Sequence, residues 1–121
     1  MVVADLEAGV GTISRLQASS VDRLVLVVEP YAKSIEVARR ALAIAAEIGI
    51  SDVVVVASRI RDQEDVRALE ATFGVPVLAV PEDPAVRDAD WEGVAPIDHA
   101  PGSPAVSAIG DVADALVGSP A

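Results

Sequence analysis

Three aliphatic runs, evenly separated by stretches of helical period, constrain this chain more than anything else in it. Arg23-Leu-Val-Leu-Val-Val-Glu29 is continuous and largely β-branched, the pattern of a strand covered on both faces. After Pro30 and Tyr31, Ser34 can cap a helix whose apolar positions Ile35, Ala38, Leu42, Ala45 and Ile48 recur at helical spacing. Gly49 follows where a helix needs its left-handed terminator. The unit then repeats. Asp52-Val-Val-Val-Val-Ala57 reads as a second strand, Asp62 as the cap of a helix carrying Val66, Leu69 and Phe73, and Gly74 as its end. Val75-Pro-Val-Leu-Ala-Val80 is the third strand. Strand, helix, strand, helix, strand with short loops implies parallel strands joined by crossover helices.

A further strand is expected at Val2–Asp5, giving an α/β, mostly parallel sheet of about four strands with helices on both faces. Beyond the third strand the pattern loosens. Asp83 and Pro84 can start a short helix through about Ala89, and Trp91 to Gly102 reads as a loop in which Trp91 is an anchor. A last helix begins at Ser103-Pro104, with Val106, Ile109, Val112 or Ala113, and Leu116 along one face. No linker interrupts the chain, so residues 1–121 read as a single domain. A chain of this length buries roughly two thirds of its unfolded surface.

Composition excludes several classes of function. There is no cysteine, which rules out disulfides, thiolate metal sites and a cysteine nucleophile within these residues. Net charge is −10, and from Glu82 onward eight acids face only Arg87. Such a surface repels phosphate backbones and anionic lipid, so neither nucleic acid nor membrane is expected as a direct partner. No apolar run reaches spanning length and the start lacks the basic residues of a secretory signal, so a cytoplasmic location is the expectation.

The chemistry of an α/β sheet sits at the C-terminal ends of its strands. Here those ends are Asp5 with Glu7, Glu29 with Pro30, Ser58 with Arg59, and Pro81-Glu82-Asp83. Asp5 and Glu7 are the acidic pair directly beside a glycine turn, Gly9-Val-Gly11. Spacing leaves two readings of them open. They belong to a metal or phosphate site, or Asp5 caps a helix beginning near Thr12 while Glu7 is merely solvated.

Other sites fail on the residues they would need. The G-x-x-x-x-G-K-[ST] phosphate loop is missing, since the only lysine, Lys33, follows no glycine run. The dinucleotide pattern G-x-G-x-x-G breaks at Ser14. A phospho-receiver would want a lysine at the end of its last strand, where this chain has Val80-Pro-Glu82. His99 is the sole histidine and has no metal-binding companions in sequence.

Taken in order, several short motifs resemble the deviant-Walker P-loop ATPases of the MinD/ParA group, in particular the CooC-type carbon-monoxide-dehydrogenase accessory ATPases. Asp5-Leu-Glu-Ala-Gly9 is similar to the D-x-E-A-G of that group's Walker B and switch II region. Arg15, Glu29-Pro-Tyr-Ala-Lys-Ser-Ile35, Glu47-Ile-Gly-Ile50, Phe73-Gly-Val-Pro-Val77, Val80-Pro-Glu-Asp83 and the helix from Ser103 continue the likeness along nearly the whole chain. The resemblance implies that Asp5 holds a Mg²⁺ ion through water, with Glu7 as a further candidate. It implies that Gly9 approaches the γ-phosphate of ATP, that Ser58 and Arg59 face adenine, and that Pro81, Glu82 and Asp83 line the other side of the base. Two departures accompany it. Ser58 stands where the family often has asparagine, whose amide pairs a donor with an acceptor. The cysteines of CooC-type members are absent.

In that family the P-loop half precedes the segment matched here, so the resemblance implies the second half of an ATPase. The expected function is a truncated or split ATPase segment, with Mg²⁺ and ATP or ADP bound weakly or not at all by the chain alone and no catalysis without a P-loop. The alternative is a non-enzymatic dimerisation or regulatory module on the same frame. Without the P-loop strand an apolar sheet edge would stand open, so a homo-oligomer or a P-loop-containing partner chain is expected.

Overall fold

A computed structural model describes residues 3–4 and 21–117. Strands β1 (Leu24–Val28), β2 (Val53–Ile60) and β3 (Val77–Pro81) form a parallel sheet in the order β1-β2-β3. Helix α1 (Ala32–Glu47) joins the first two strands and α2 (Gln63–Phe73) the second and third. After β3 come α3 (Pro84–Glu92), a single turn α4 (Pro96–His99), and α5 (Pro104–Val117). The α/β class is as expected. The described sheet has three strands rather than about four, and of the expected first strand only Val3 and Ala4 are described, both exposed and in no regular element.

Alternation along the strands decides which helix covers what. Leu26 and Val28 of β1 and Val55 and Ala57 of β2 point to one face, where they pack against Ala38 and Ala41 of α1 and Val66 and Leu69 of α2. Val56 and Val80 point to the other face and meet Ala105 of α5, with Ala108 and Val112 packed alongside. Helices therefore lie on both faces. The inward stripe of α5 is Ala105, Ala108 and Val112, one position away from the expected Val106 and Ile109, and Ile109 is exposed. Val112 is inward as expected, and the alanines at 105 and 108 let the first half of the helix settle close to the β2–β3 surface.

Strand β1 departs from its expected two-sided burial. Val25 is 38% exposed and Val27 59%, and among the described residues α5 lies over β2 and β3 and not over β1.

The helix ends mostly follow the sequence signals. Ile48 and Gly49 close α1, with Gly49 at φ +89° and the amides of Gly49 and Ile50 donating back to the carbonyls of Ala46 and Ala45 at 3.2 and 2.8 Å. That is the six-to-one and five-to-two pairing of a glycine-terminated helix, and Ile50 packs on Ala45 beneath it. Asp62 caps α2 by accepting from the Asp65 amide at 3.1 Å, and Gly74 ends it at φ +69°. Ser34 is not the cap of α1. The helix starts at Ala32, and the Ser34 hydroxyl accepts from the Glu29 amide at 2.9 Å, securing the turn that leaves β1.

Candidate functional site

Because the strands are parallel, their C-terminal ends share one edge of the sheet, and Glu29, Ser58, Arg59, Pro81, Glu82 and Asp83 all arrive there. The ends are not plain. Pairing between β2 and β3 runs regularly from Val55 with Val77 to Ala57 with Ala79, then resumes at Ile60 with Pro81. Two residues of β2, Ser58 and Arg59, thus oppose the single Val80, which is a β-bulge. The sequence suggests a strand ending at Ala57, where the apolar run stops. The bulge is what lets β2 continue through polar residues and pair once more.

Arg59 sits in that bulge at φ +58°, the one non-glycine residue in the left-handed region among the described residues. A side chain there costs about 1–2 kcal/mol of backbone strain. The conformation directs the guanidinium between the other two strand ends. Its terminal nitrogens lie 3.5 Å from Glu29 Oε1 and 3.6 Å from Glu82 Oε1. Arg59 is itself 65% exposed along its side chain, so each of these ion pairs contributes at most about 1 kcal/mol. The pairs and the strain are comparable in size, and stability alone does not account for an arginine here. Strained backbone of this kind gathers at functional sites, where a bulge re-aims a side chain.

Glu29 is the most engaged member. Its Oε2 accepts from the Tyr31 hydroxyl at 2.5 Å while Oε1 faces Arg59. The carboxylate acceptor holds the Tyr31 phenol above its ordinary range, with the negative charge of Glu29 adding to the effect and Arg59 opposing it. Glu29 is named by the sequence only as a strand end, and the part played by Tyr31 is not legible there. The available signal is an acid ending an aliphatic strand with an aromatic hydroxyl two residues later, within reach of a tight turn. The Tyr31 amide donates to the Glu29 carbonyl at 2.8 Å and makes that turn.

Asp83 plays a different part from its neighbours. One carboxylate oxygen accepts from the Ala85 amide at 2.9 Å and the other from the Ala105 amide at 3.0 Å. A single side chain therefore caps α3 and binds the first turn of α5 to the end of β3. The Ala105 amide, then the Ala85 amide and the Ser103 hydroxyl, hold its carboxyl below the usual carboxylate range. Both oxygens are committed to helix amides, so what this turn presents to a ligand is the exposed Glu82 and the half-buried Pro81. Ser58 is half-buried beside Arg59.

Asp5, Glu7 and Gly9 lie outside the described residues, as do Gly11 and Arg15. Among the described residues no group of three or more His, Asp or Glu side chains gathers as a metal cage. At the strand ends Glu29 and Glu82 share Arg59, whose charge opposes a cation between them.

Comparison with known proteins gives relatives along nearly the whole chain. It is 34% identical over 123 aligned residues to an uncharacterized ATP-binding protein of Methanocaldococcus jannaschii, covering 98% of this chain and 47% of that protein. It is 30% identical to the carbon monoxide dehydrogenase accessory protein CooC of Rhodospirillum rubrum, covering 83% of this chain and 39% of the relative. The cell division protein MinD of Aquifex aeolicus superposes with a TM-score of 0.71 at 25% identity, over 86% of this chain and 47% of MinD. MinD in its complex with MinC superposes with a TM-score of 0.69. No family model matches the chain. The chain spans about half the length, or less, of the curated relatives it matches. Within that span its relatives and structural neighbours match the MinD/ParA/CooC-like P-loop ATPase family.

Proposed function

We propose that this segment supplies the base-side and switch elements of a MinD/CooC-like ATPase and hydrolyses nucleotide only together with a P-loop supplied from outside these 121 residues. The observation that carries the reading is Arg59. It is held in a left-handed bulge between Glu29 and Glu82, at the sheet edge where resemblance to the family puts the adenine contacts.

An arginine plane fixed beside the Pro81–Glu82 turn can stack on a flat base, and Ser58 offers one hydroxyl in place of a paired amide. That favours weak base recognition. Phosphoryl transfer is positioning and charge neutralisation, and the G-x-x-x-x-G-K-[ST] loop that provides both is not in this sequence. The segment thus does not hydrolyse ATP alone and holds it only weakly, with Asp5, Glu7 and Gly9 directed to Mg²⁺ and the γ-phosphate and Arg59 to the base.

The second reading, a dimerisation or regulatory module, is favoured by β1. Among the described strands it pairs on one side only, and its Val25 and Val27 are exposed. The two readings share an interface and differ in nucleotide. The partner is a second copy of the chain or a chain carrying the P-loop. No helix among the described residues is long and apolar enough to cross a membrane, and we place the protein in the cytoplasm.

Titration calorimetry with Mg²⁺-ATP and Mg²⁺-ADP separates the readings. Weak binding that is reduced at least several-fold in Arg59→Ala, and again in Asp5→Ala, is the expected result. No heat from a folded chain would leave the module reading in possession.

A further inference from the structure

Trp91 does not behave as the loop anchor that its sequence surroundings suggest. It lies on α3 and is 91% exposed. The helix stops one residue later by a defined device. Gly93 adopts φ +72°, and the amides of Gly93 and Val94 donate to the carbonyls of Asp90 and Ala89 at 3.1 and 3.0 Å. A further contact ties the next turn to this helix end, as His99 Nδ1 of α4 lies 3.0 Å from Glu92 Oε2 of α3. The indole is thus presented from an ordered helix end, succeeded directly by Val94 at 43% and Ile97 at 63% exposure. Pro84, Arg87, Asp88 and Trp91 form one outward stripe at helical spacing and line an open groove.

We propose that this α3–α4 surface docks a cationic amphipathic segment of a partner protein. The reading is independent of the nucleotide site. The occupant is set by charge. Asp88, Asp90, Glu92 and Asp98 are exposed around the apolar residues, with Arg87 the only fixed positive charge in the stretch. A tryptophan face with an acidic rim favours arginine or lysine stacked on the indole, with aliphatic groups against Val94 and Ile97. A second copy would bring the same acidic rim and a chain of net charge −10 against itself. Anionic lipid is repelled by the same field.

Trp91 is the only tryptophan, so its emission reports on this surface alone. The full chain is titrated with a synthetic helical peptide carrying leucine and arginine at i, i+3 and i+4 spacing, and with the same peptide bearing glutamate in place of arginine. The expected result is a red-shifted free spectrum and a saturable blue shift with the arginine peptide only. Labelled-peptide anisotropy should show at least tenfold weaker binding to Trp91→Ala and several-fold weaker binding to Asp88→Asn/Asp90→Asn. The charge-matched control Asp111→Asn/Asp114→Asn on α5 should bind as the parent does. Unchanged affinity of Trp91→Ala, equal loss in the control, or equal binding of the glutamate peptide would overturn the proposal. So would a blue shift that grows with protein concentration alone, which would assign the surface to a second copy, or one produced by anionic vesicles, which would assign it to lipid.

Discussion

On one face of the sheet Leu24, Leu26 and Val28 of β1 vanish beneath α1, and Val55 and Ala57 of β2 sit under α1 and α2 together. On the other face the same strand shows Val25 and Val27 to solvent, and α5 stops short of them over β2 and β3. The residues of β1 are alike on both sides, all leucine or valine. Chemistry therefore does not distinguish the faces, whereas coverage does. The closed face is what makes these residues a folded unit. The open one is continuous with the side of β1 that has no strand partner among the described strands, and it is the face where the proposed association would occur.

The comparison can be broken first on the closed face. Leu69 is 1% exposed at the centre of the α1–α2 core, and Leu69→Ala should cost about 2–5 kcal/mol in denaturant unfolding. A loss under about 1 kcal/mol would mean that this core is not what holds the chain together.

A smaller effect is expected where α5 is fastened to the other face. Asp83→Ala leaves the Ala85 and Ala105 amides without their carboxylate acceptor and should loosen α5 from the β3 end. The Asp83 carboxyl is held below its ordinary range, so its contribution is present above the unfolded value, near 4, and disappears as pH falls through the folded value. The stability gap between parent and variant should be constant near neutral pH and close in acid. A gap that persists unchanged at pH 2 would show that the carboxylate's charge is not what fastens the helix.

The smallest effect belongs to the open face. Val27→Thr removes apolar surface that the isolated chain hardly buries, and should change stability by no more than about 0.5 kcal/mol. A cost like that of Leu69→Ala would mean that Val27 is covered in solution.

Much of this arrangement is legible in the residues. The aliphatic runs, the glycines at 49 and 74 and the Asp62 cap fix β1, α1, β2 and α2, because period and termination are local properties. What the sequence hides is non-local. The continuous valine–leucine run of β1 looks the same whether one face is covered or two. The Ser58–Arg59 bulge is invisible because nothing in an S-R pair announces a left-handed arginine, and the conformation is imposed by pairing at Ile60 with Pro81. Trp91 reads as a loop residue because Asp88, Asp90 and Glu92 dilute the helical pattern, although Asp83 and Gly93 mark both ends of α3. Of the candidate site, the strand-end set is legible as positions, and the clamp of Arg59 by Glu29 and Glu82 is not. The roles of Asp5, Glu7 and Gly9 rest on resemblance to the family.

The most direct test of the open face is the mass of the chain in solution. Light scattering at micromolar concentration should give a particle heavier than the 12.4 kDa chain, shifting toward 12.4 kDa in Val27→Lys and unchanged in Trp91→Ala. A parent chain that is a 12.4 kDa monomer at that concentration would contradict an interface on β1.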